Sequence, residues 1–229
     1  MEHNKSTKRV FIYIRKKPLL TNDEDICYVN SIHNLSIKVD RVKVNLEKDI
    51  QFKHFYADFV FDQNKSNEDI FQKIVNKRLT RENKNLIYFA YGQSGTGKTH
   101  TLLGINGLIY KTCKQLISQQ NINFSSFQIY EDNIYDLYNN QKARLFDRNN
   151  SIFVSGITEN VISDQNKLLS ILELNKKNRH QGISSHNNTS SRSHAVYRIK
   201  YVIDNNIHSV QFIDLAGTER ACNANINMI

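Results

Sequence analysis

The sequence predicts one α/β domain over residues 1–229, with a glycine-rich loop between a central strand and a helix. Leu86-Ile87-Tyr88-Phe89-Ala90 is a short apolar run, typical of a buried strand, and it leads directly into that loop. Apolar residues recur at helical spacing after the loop, from Leu108 to Ile117. Two β-rich runs, at 194–203 and 207–213, are joined by Asp204-Asn205-Asn206, which indicates a hairpin.

The remaining elements are predicted from weaker local patterns. A β-rich run from Val10 to Ile14 predicts a strand, which Pro18 ends. Scattered alternation over 26–61 predicts short strands around a basic loop. Ser66 with Asp69 resembles a helix N-terminal cap. Apolar residues at helical spacing follow this cap: Ile70, Phe71, Ile74, Val75 and Leu79. Further strands are predicted at 123–130 and 152–157, and a helix capped by Asp164 carries Leu168, Ile171 and Leu172.

The glycine-rich loop is Gly92-Gln93-Ser94-Gly95-Thr96-Gly97-Lys98-Thr99, which fits the phosphate-binding loop pattern. Its glycines allow successive backbone N–H groups to point inward at phosphate oxygens. In this pattern Lys98 reaches the β- and γ-phosphates, and the Thr99 hydroxyl binds Mg²⁺. A random chain of this length matches the pattern only about once in a hundred. The preceding strand makes a nucleotide site the better interpretation.

Composition limits the class of protein. The formal net charge is +9 and the isoelectric point is near 9.4, which favours an acidic partner: nucleic acid, a membrane surface or an acidic protein polymer. A solvated lysine-rich surface is the alternative explanation of the same charge. Cys27, Cys113 and Cys222 are isolated, which disfavours a disulfide framework and a zinc site. The sequence has no long apolar run and no signal peptide, so a soluble, intracellular protein is expected.

Two later segments also carry polar chemistry. The first is Asn187-Asn188-Thr189-Ser190-Ser191-Arg192-Ser193-His194, and the second is Asp214-Leu215-Ala216-Gly217-Thr218-Glu219-Arg220. A strand that ends in Asp214 beyond a phosphate loop suits a Mg²⁺-associated acid. Gly217 allows a backbone N–H to approach a γ-phosphate. Taken alone, the first segment is an ordinary polar loop, and Arg192 and Glu219 are surface charges.

Together these segments resemble the kinesin motor domain. Tyr91 with the octapeptide matches the phosphate loop of that family, 187–194 matches its first nucleotide-sensing switch, and 214–219 matches its second. Arg15-Lys16-Lys17-Pro18 matches the adenine-side motif, with Lys17 in place of an arginine. The resemblance implies a P-loop NTPase of kinesin-motor type, with a central mixed sheet flanked by helices, that binds ATP and Mg²⁺.

The resemblance also assigns roles to individual residues. It implies that Arg192 and Glu219 pair as a latch between the switches, and that the Gly217 N–H senses the γ-phosphate. Asn187 and Ser190 are expected beside the γ-phosphate and the attacking water. His194 is expected to be structural. The cofactor residues are assigned as follows: Arg15, Pro18 and Tyr91 flank adenine, Gly92, Gln93, Ser94, Gly95, Thr96, Gly97, Lys98 and Thr99 hold the phosphates, and Thr99, Ser191 and Asp214 hold Mg²⁺.

The resemblance further implies a microtubule-stimulated ATP hydrolase in the cytoplasm, bound to the cytoskeleton through tubulin and not to nucleic acid or membrane. Arg15-Lys16-Lys17-Pro18-Leu19 and 192–196 favour the internal-motor group that depolymerises microtubules. The tip motif of that group, Lys-Val-Asp, reads Lys43-Val44-Asn45 here, and a literal Lys38-Val39-Asp40 lies out of register. A translocating kinesin is the alternative, and the oligomeric state stays open.

The second switch lies close to Ile229, so the family's tubulin-gripping helix and last central strand are expected to lie outside this sequence. An unpaired gap in the sheet is the expected result. A truncated kinesin relative that binds tubulin or a partner without productive turnover is therefore the alternative function. A nucleic-acid-binding P-loop ATPase would explain the charge but not the two switch motifs.

Overall fold

The computed structural model describes residues 10–20, 23–42, 48–80, 82–104, 106–148, 151–181 and 192–219. The chain forms two compact units that divide between Ser66 and Asn67. Most of the predicted strands and helices are present, with boundaries that differ by a few residues.

The described part of the first unit contains two small sheets. Strand β1 (Tyr13–Arg15) pairs in parallel with β5 (Phe59–Phe61). Strands β2 (Cys27–Ser31), β3 (Asn34–Val42) and β4 (Lys48–Tyr56) form an antiparallel meander. The strand predicted from Val10 begins later, at Tyr13, because Asp58 binds the backbone ahead of it: the Ile12 N–H donates to Asp58 Oδ2 at 2.7 Å.

The second unit is built on a mixed sheet. Its strands run in the order β10, β9, β8, β7, β12, β13, β6, and β11 pairs with β7. Strand β6 runs parallel to β13, and the other pairs are antiparallel. The strands are β6 (Asn85–Ala90), β7 (Ile122–Tyr130), β8 (Asn133–Asp136), β9 (Lys142–Arg148), β10 (Ser151–Ser155), β11 (Asn160–Ile162), β12 (Ser193–Ile203) and β13 (Asn206–Asp214). This arrangement confirms an α/β fold with a mixed sheet.

Four α-helices lie in the described residues of the second unit: α1 (Asn67–Ile70), α2 (Lys98–Leu103), α3 (Leu108–Ile117) and α4 (Gln165–Gln181). The helix predicted after Ser66 continues from α1 as a π-helical turn, Phe71–Val75, and a 3₁₀ turn, Asn76–Arg78. The Asp164 cap is confirmed, since its Oδ1 accepts the Lys167 N–H at 2.9 Å. None of the helices in the described ranges is both long and apolar enough to span a membrane.

Helix α3 packs against α2 and α4 and against strands β7 and β12, so the helices form a layer over one face of the sheet. Alternate residues of the central strands are fully buried beneath it, including Tyr197 and Phe212. A second, smaller apolar cluster forms around Phe127 and Val196. Strand β6 is the last in the described order of the sheet, and its Ile87 and Phe89 side chains are 52% and 63% exposed. The unpaired gap expected in the sheet stays a prediction.

Asp136 supports the sheet from inside. It is fully buried, and its Oδ1 and Oδ2 accept the backbone N–H groups of Tyr138 and Thr158, each at 2.7 Å. Replacing Asp136 with Ala leaves both N–H groups without this acceptor, so we expect the free energy of unfolding to fall by roughly 2 to 4 kcal/mol. Urea unfolding measures this loss. Asp132→Ala, which removes a nearby exposed carboxylate, is the control, and equal stability of the two variants would contradict the assignment.

Candidate nucleotide-binding site

The glycine-rich loop connects β6 to α2, as the sequence predicts. Gly92, Gly95 and Gly97 have φ angles of 150°, 77° and 97°, in the region that residues with a side chain rarely adopt. A Cβ at Gly92 would also collide with the Thr96 hydroxyl. The backbone curl at these three positions therefore depends on glycine.

Two side chains of the loop, Lys98 and Thr96, donate hydrogen bonds to backbone carbonyls of the same loop. The Lys98 ammonium donates to the Gly92 and Gln93 carbonyls, both at 2.8 Å. The Thr96 hydroxyl donates to the Gln93 carbonyl at 2.7 Å. An ammonium group has three N–H donors, so phosphate oxygens can bind Lys98 while it remains at the loop. The loop thus combines a fixed positive charge with a backbone curl that suits phosphate.

Asp214 lies at the end of β13, opposite Ala90 in the parallel register, and is fully buried. Its Oδ2 accepts the Thr99 hydroxyl at 2.7 Å and Arg179 Nη1 at 2.6 Å. Its Oδ1 is buried and has no hydrogen-bond partner in the described part of the chain. A carboxylate oxygen held beside a threonine hydroxyl is a suitable pair of oxygen ligands for a hydrated Mg²⁺. Thr99 and Asp214, which the sequence assigns to the metal, are therefore in contact.

The segment after Asp214 lies against the glycine-rich loop and is hydrogen-bonded to it. The Leu215 N–H donates to the Ala90 carbonyl and the Thr218 N–H to the Gly92 carbonyl, both at 3.3 Å. The Ala216 N–H donates to Nδ1 of His194 at 3.1 Å. His194 thus has the structural role expected of it, which is to hold the second motif in place.

Glu219 binds the glycine-rich loop directly. Its carboxylate accepts the Ser94 N–H at 3.0 Å and the Ser94 hydroxyl. These hydrogen bonds lower the pKa of Glu219, because they stabilise the charged form. The same carboxylate covers Gly217, where an added Cβ would collide with it and with the Ser94 hydroxyl.

The predicted latch is not formed in the structure. Arg192 is exposed at the turn before β12, and no ion pair joins it to Glu219 within the described ranges. The Glu219 carboxylate binds the backbone N–H and the hydroxyl of Ser94 instead. Pairing of Arg192 with Glu219 therefore stays a prediction.

The chain that carries this site matches a known protein family. The family model described as the kinesin motor domain matches residues 15–228. The chain belongs to the kinesin motor domain family.

Several relatives are similar to this chain over most of its length. The chain is 31% identical to the kinesin-like protein KIF24 of Homo sapiens over 241 residues, covering 95% of this chain and 18% of that protein. It is 28% identical to the kinesin-like protein KIN-13B of Arabidopsis thaliana, covering 99% of this chain and 36% of that protein. It is 30% identical to the protein claret segregational of Drosophila melanogaster, covering 92% and 34%. The chain thus spans about a fifth to a third of these relatives.

The described residues do not test the roles predicted for several site residues of the kinesin motor domain. Asn187, Ser190 and Ser191 lie outside the described residues. Arg15 and Pro18 belong to the first unit and Tyr91 to the second. Arg15 Nη2 donates to the Lys65 carbonyl at 3.3 Å, and burial lowers the pKa of the Arg15 guanidinium. Pro18 is exposed and Tyr91 is 78% exposed, so their contact with adenine stays a prediction.

Sequence reasoning missed Arg179 of the kinesin motor domain. This residue is 4% exposed and binds Asp214, although it lies on α4, before the 187–194 motif begins and outside every recognised motif. The signal that could have revealed it is polar periodicity: Asn175, Asn178 and Arg179 share one helix face at i, i+3 and i+4. Asn175 donates to the Ser126 hydroxyl at 2.7 Å and Asn178 to the Leu137 carbonyl at 2.9 Å, so this polar face is buried.

Proposed function

We propose that this chain is an ATP-binding and ATP-hydrolysing motor head that acts on microtubules. The observation that carries the proposal is the contact of Thr99 with buried Asp214, directly behind a phosphate loop that retains Lys98. These are the groups that phosphoryl transfer needs to position phosphate and neutralise charge. Membership of the kinesin family supports the same function.

The proposed site assigns a separate role to each of the matched residues. Bound Mg·ATP supplies the phosphoanhydride bond that is cleaved and the metal charge that stabilises its oxygens. Lys98 neutralises phosphate charge, and the Gly217 N–H donates to the terminal phosphate. The remaining roles are those of the family: Thr99, Ser191 and Asp214 hold Mg²⁺, Asn187 and Ser190 orient the attacking water, Arg192 with Glu219 forms the latch, and Arg15, Pro18 and Tyr91 flank adenine.

Phosphate release from Mg·ATP by the 229-residue chain tests this function. The measurement is made with and without microtubules, and Lys98→Ala supplies the blank. Microtubule-stimulated release above the blank supports a working motor head. Release no greater than the blank contradicts it and supports the alternative, a truncated kinesin relative that binds tubulin or a partner without turnover.

The proposed partner is tubulin, whose surface is acidic, and the β9–β10 hairpin is a candidate contact. Lys142 and Arg144 lie on β9. In the described part of the hairpin, four large apolar side chains are at least half exposed: Leu145, Phe146, Ile152 and Phe153. The net charge of +9 adds a long-range attraction. The proposed location is therefore the microtubule cytoskeleton of the cytoplasm.

Electrostatic docking predicts that microtubule affinity weakens steeply as salt is raised, because salt screens exposed charges beyond about 8 Å at physiological ionic strength. Cosedimentation across a salt series measures this. Lys142→Ala with Arg144→Ala should flatten the salt dependence, whereas a salt-insensitive wild-type affinity would contradict the docking model. Preferential binding to DNA over microtubules would favour a nucleic-acid-binding ATPase instead.

Microtubule depolymerisation is the finer proposal, and it rests on the Arg15-Lys16-Lys17-Pro18-Leu19 motif. The literal Lys38-Val39-Asp40 lies within β3, paired with Ile50, Gln51 and Phe52 of β4, and so is not at a loop tip. The Lys38 ammonium also pairs with Glu24 at 2.6 Å. Lys43-Val44-Asn45 lies outside the described residues. Shortening of stabilised microtubules would support depolymerisation, and surface gliding without shortening would support the translocating alternative.

A further inference from the structure

Strand β4 forms one edge of the antiparallel meander in the first unit. The strand order is β2, β3, β4, so within the described residues β4 pairs with β3 alone. Each residue from Ile50 to Tyr56 is exposed, and the large apolar side chains of Ile50 and Phe52 are 55% and 52% exposed. An edge strand presents a row of backbone N–H and C=O groups with which another strand can pair.

The two edges of the meander differ in regularity. The register between β2 and β3 shifts between Val29 and Ser31, and irregularities of this kind hinder pairing with a further strand. Strand β4 pairs with β3 in one unbroken register along its whole length. It also contains no proline, so every residue retains its backbone N–H. Strand β4 is therefore the edge of the meander that suits strand addition.

The sequence of β4 is complementary to itself in one antiparallel register. A two-fold axis that places Gln51 opposite Gln51 of a second copy brings Asp49 opposite Lys53 twice. The same axis brings Ile50 opposite Phe52 twice. Directly opposite residues of an antiparallel pair share one face of the sheet, so opposite charges meet on one face and apolar side chains on the other. An axis centred on Ile50 or on Phe52 loses both charge pairs.

The two charged side chains of this pattern are accessible to a second copy. Lys53 is exposed and forms no ion pair within the described ranges of its own chain. Asp49 Oδ2 accepts the side-chain amide of Gln51 at 2.9 Å, and a carboxylate can accept further donors beside this one.

We propose that β4 is a self-association surface, along which two copies of this chain pair antiparallel and join their meanders into one continuous sheet. The partner is a second copy because the charges and apolar residues of 49–53 match their own reverse order. The strands overlap from residue 48 to residue 54, which is less than a standard interface, so the dimer is weak and depends on concentration. Strand β4 contains none of the predicted nucleotide-binding residues, so self-association can fail while the proposed function stands.

Lysine on an edge strand can also have the opposite role, in which its charge prevents pairing. The two roles predict opposite results for Lys53→Ala. Removal of a guarding charge strengthens association, whereas removal of the partner of Asp49 weakens it. The position of Asp49 on the same face of β4 favours pairing, because a guarding lysine needs no acid at the matching position.

Sedimentation velocity of the 229-residue chain over a concentration series measures dimerisation. Lys53→Asp and Asp49→Lys each place like charges opposite one another at both pairs. Each variant should therefore raise the dissociation constant of the dimer at least about 10-fold. A mixture of the two variants regains opposite charges in the heterodimer only, so the mixture should dimerise as the wild type does while each variant alone remains largely monomeric.

A second comparison tests the apolar part of the register. Phe52→Lys places a charge opposite Ile50 of the second copy and should weaken the dimer by a similar factor. Tyr56→Lys is the matched control, because Tyr56 is an exposed aromatic residue on the same face of β4 that lies beyond the overlap. Equal weakening by the two substitutions would overturn the register, since it indicates unspecific apolar contact.

A wild-type chain that stays monomeric over the whole series overturns the proposal, because the edge is then open or is covered by another segment or partner. A dimer that both charge variants leave unchanged also overturns it, since the contact then lies on another surface. The same holds for tighter association of Lys53→Ala and for folded charge variants that do not dimerise when mixed. Circular dichroism checks folding, and if a charge variant does not fold, Phe52→Lys against Tyr56→Lys decides.

Discussion

Replacement of Lys98 by alanine should reduce phosphate release from Mg·ATP by roughly 100- to 1,000-fold, the loss expected when one preorganised electrostatic group is removed from a phosphate site. The structure supplies the reason. Lys98 Nζ is held by the Gly92 and Gln93 carbonyls, so its charge lies at the loop before any ligand binds. Without the ammonium, those two carbonyls face the phosphate oxygens and repel them.

The Lys98 result is measured as phosphate release and as binding of a fluorescent nucleotide. Lys114→Ala removes an exposed lysine from α3 and is the control for net charge. Lys98→Arg keeps the charge but not the compact ammonium, so it should retain only part of the activity. Release by Lys98→Ala at the level of the Lys114→Ala control would show that the glycine-rich loop does not bind the reacting phosphates.

Loss of either member of the proposed latch should abolish turnover while nucleotide binding stays largely intact. Arg192→Ala and Glu219→Ala each remove one charge of a pair that is expected to close the site only when γ-phosphate is present. We expect turnover to fall at least about a hundredfold in each variant. Near-normal hydrolysis by either variant would contradict the latch.

The contact that the structure shows, Ser94 with Glu219, allows the latch to be tested more sharply. If Glu219 acts through Arg192, exchange of the two charges in the double variant Arg192→Glu, Glu219→Arg should restore part of the turnover. If Glu219 acts through Ser94, Ser94→Ala should reproduce the loss in Glu219→Ala, and the charge exchange should restore nothing. The contact with Ser94 should weaken as the pH falls through the lowered pKa of Glu219, because its stability depends on the carboxylate.

Local patterns predicted the elements that carry the site. The apolar run before Gly92 is a strand, the residues from Lys98 form a helix, and the hairpin at Asp204-Asn205 joins two long strands. These predictions held because backbone curl, helical periodicity and turn chemistry depend on neighbouring residues. The contact of Thr99 with Asp214 followed from the motifs, although 115 residues separate the two.

Other features depend on partners that are distant in sequence, so no local pattern revealed them. Arg179 on α4 contacts Asp214 at the end of β13, 35 residues later in the sequence. Asp58 accepts the Ile12 N–H, just before β1, across 46 residues. The contact of Glu219 with Ser94 was not predicted either, since the two residues are 125 positions apart in the sequence. The division at Ser66 has no counterpart in composition or linker content.

The parallel ladder between β6 and β13 determines where this part of the chain can accept insertions and deletions. The ladder aligns Ala90 with Asp214, so the glycine-rich loop and the acid leave the sheet at the same level. A slip of one residue would displace Asp214 by about 3.3 Å and turn its side chain to the opposite face. Insertions at the Asp204-Asn205 turn lengthen only the far end of the β12–β13 hairpin and preserve this alignment. An insertion between Ser209 and Ile213 shifts the register of Asp214 against β6. The two ends of β13 therefore differ in the insertions and deletions that they can accept.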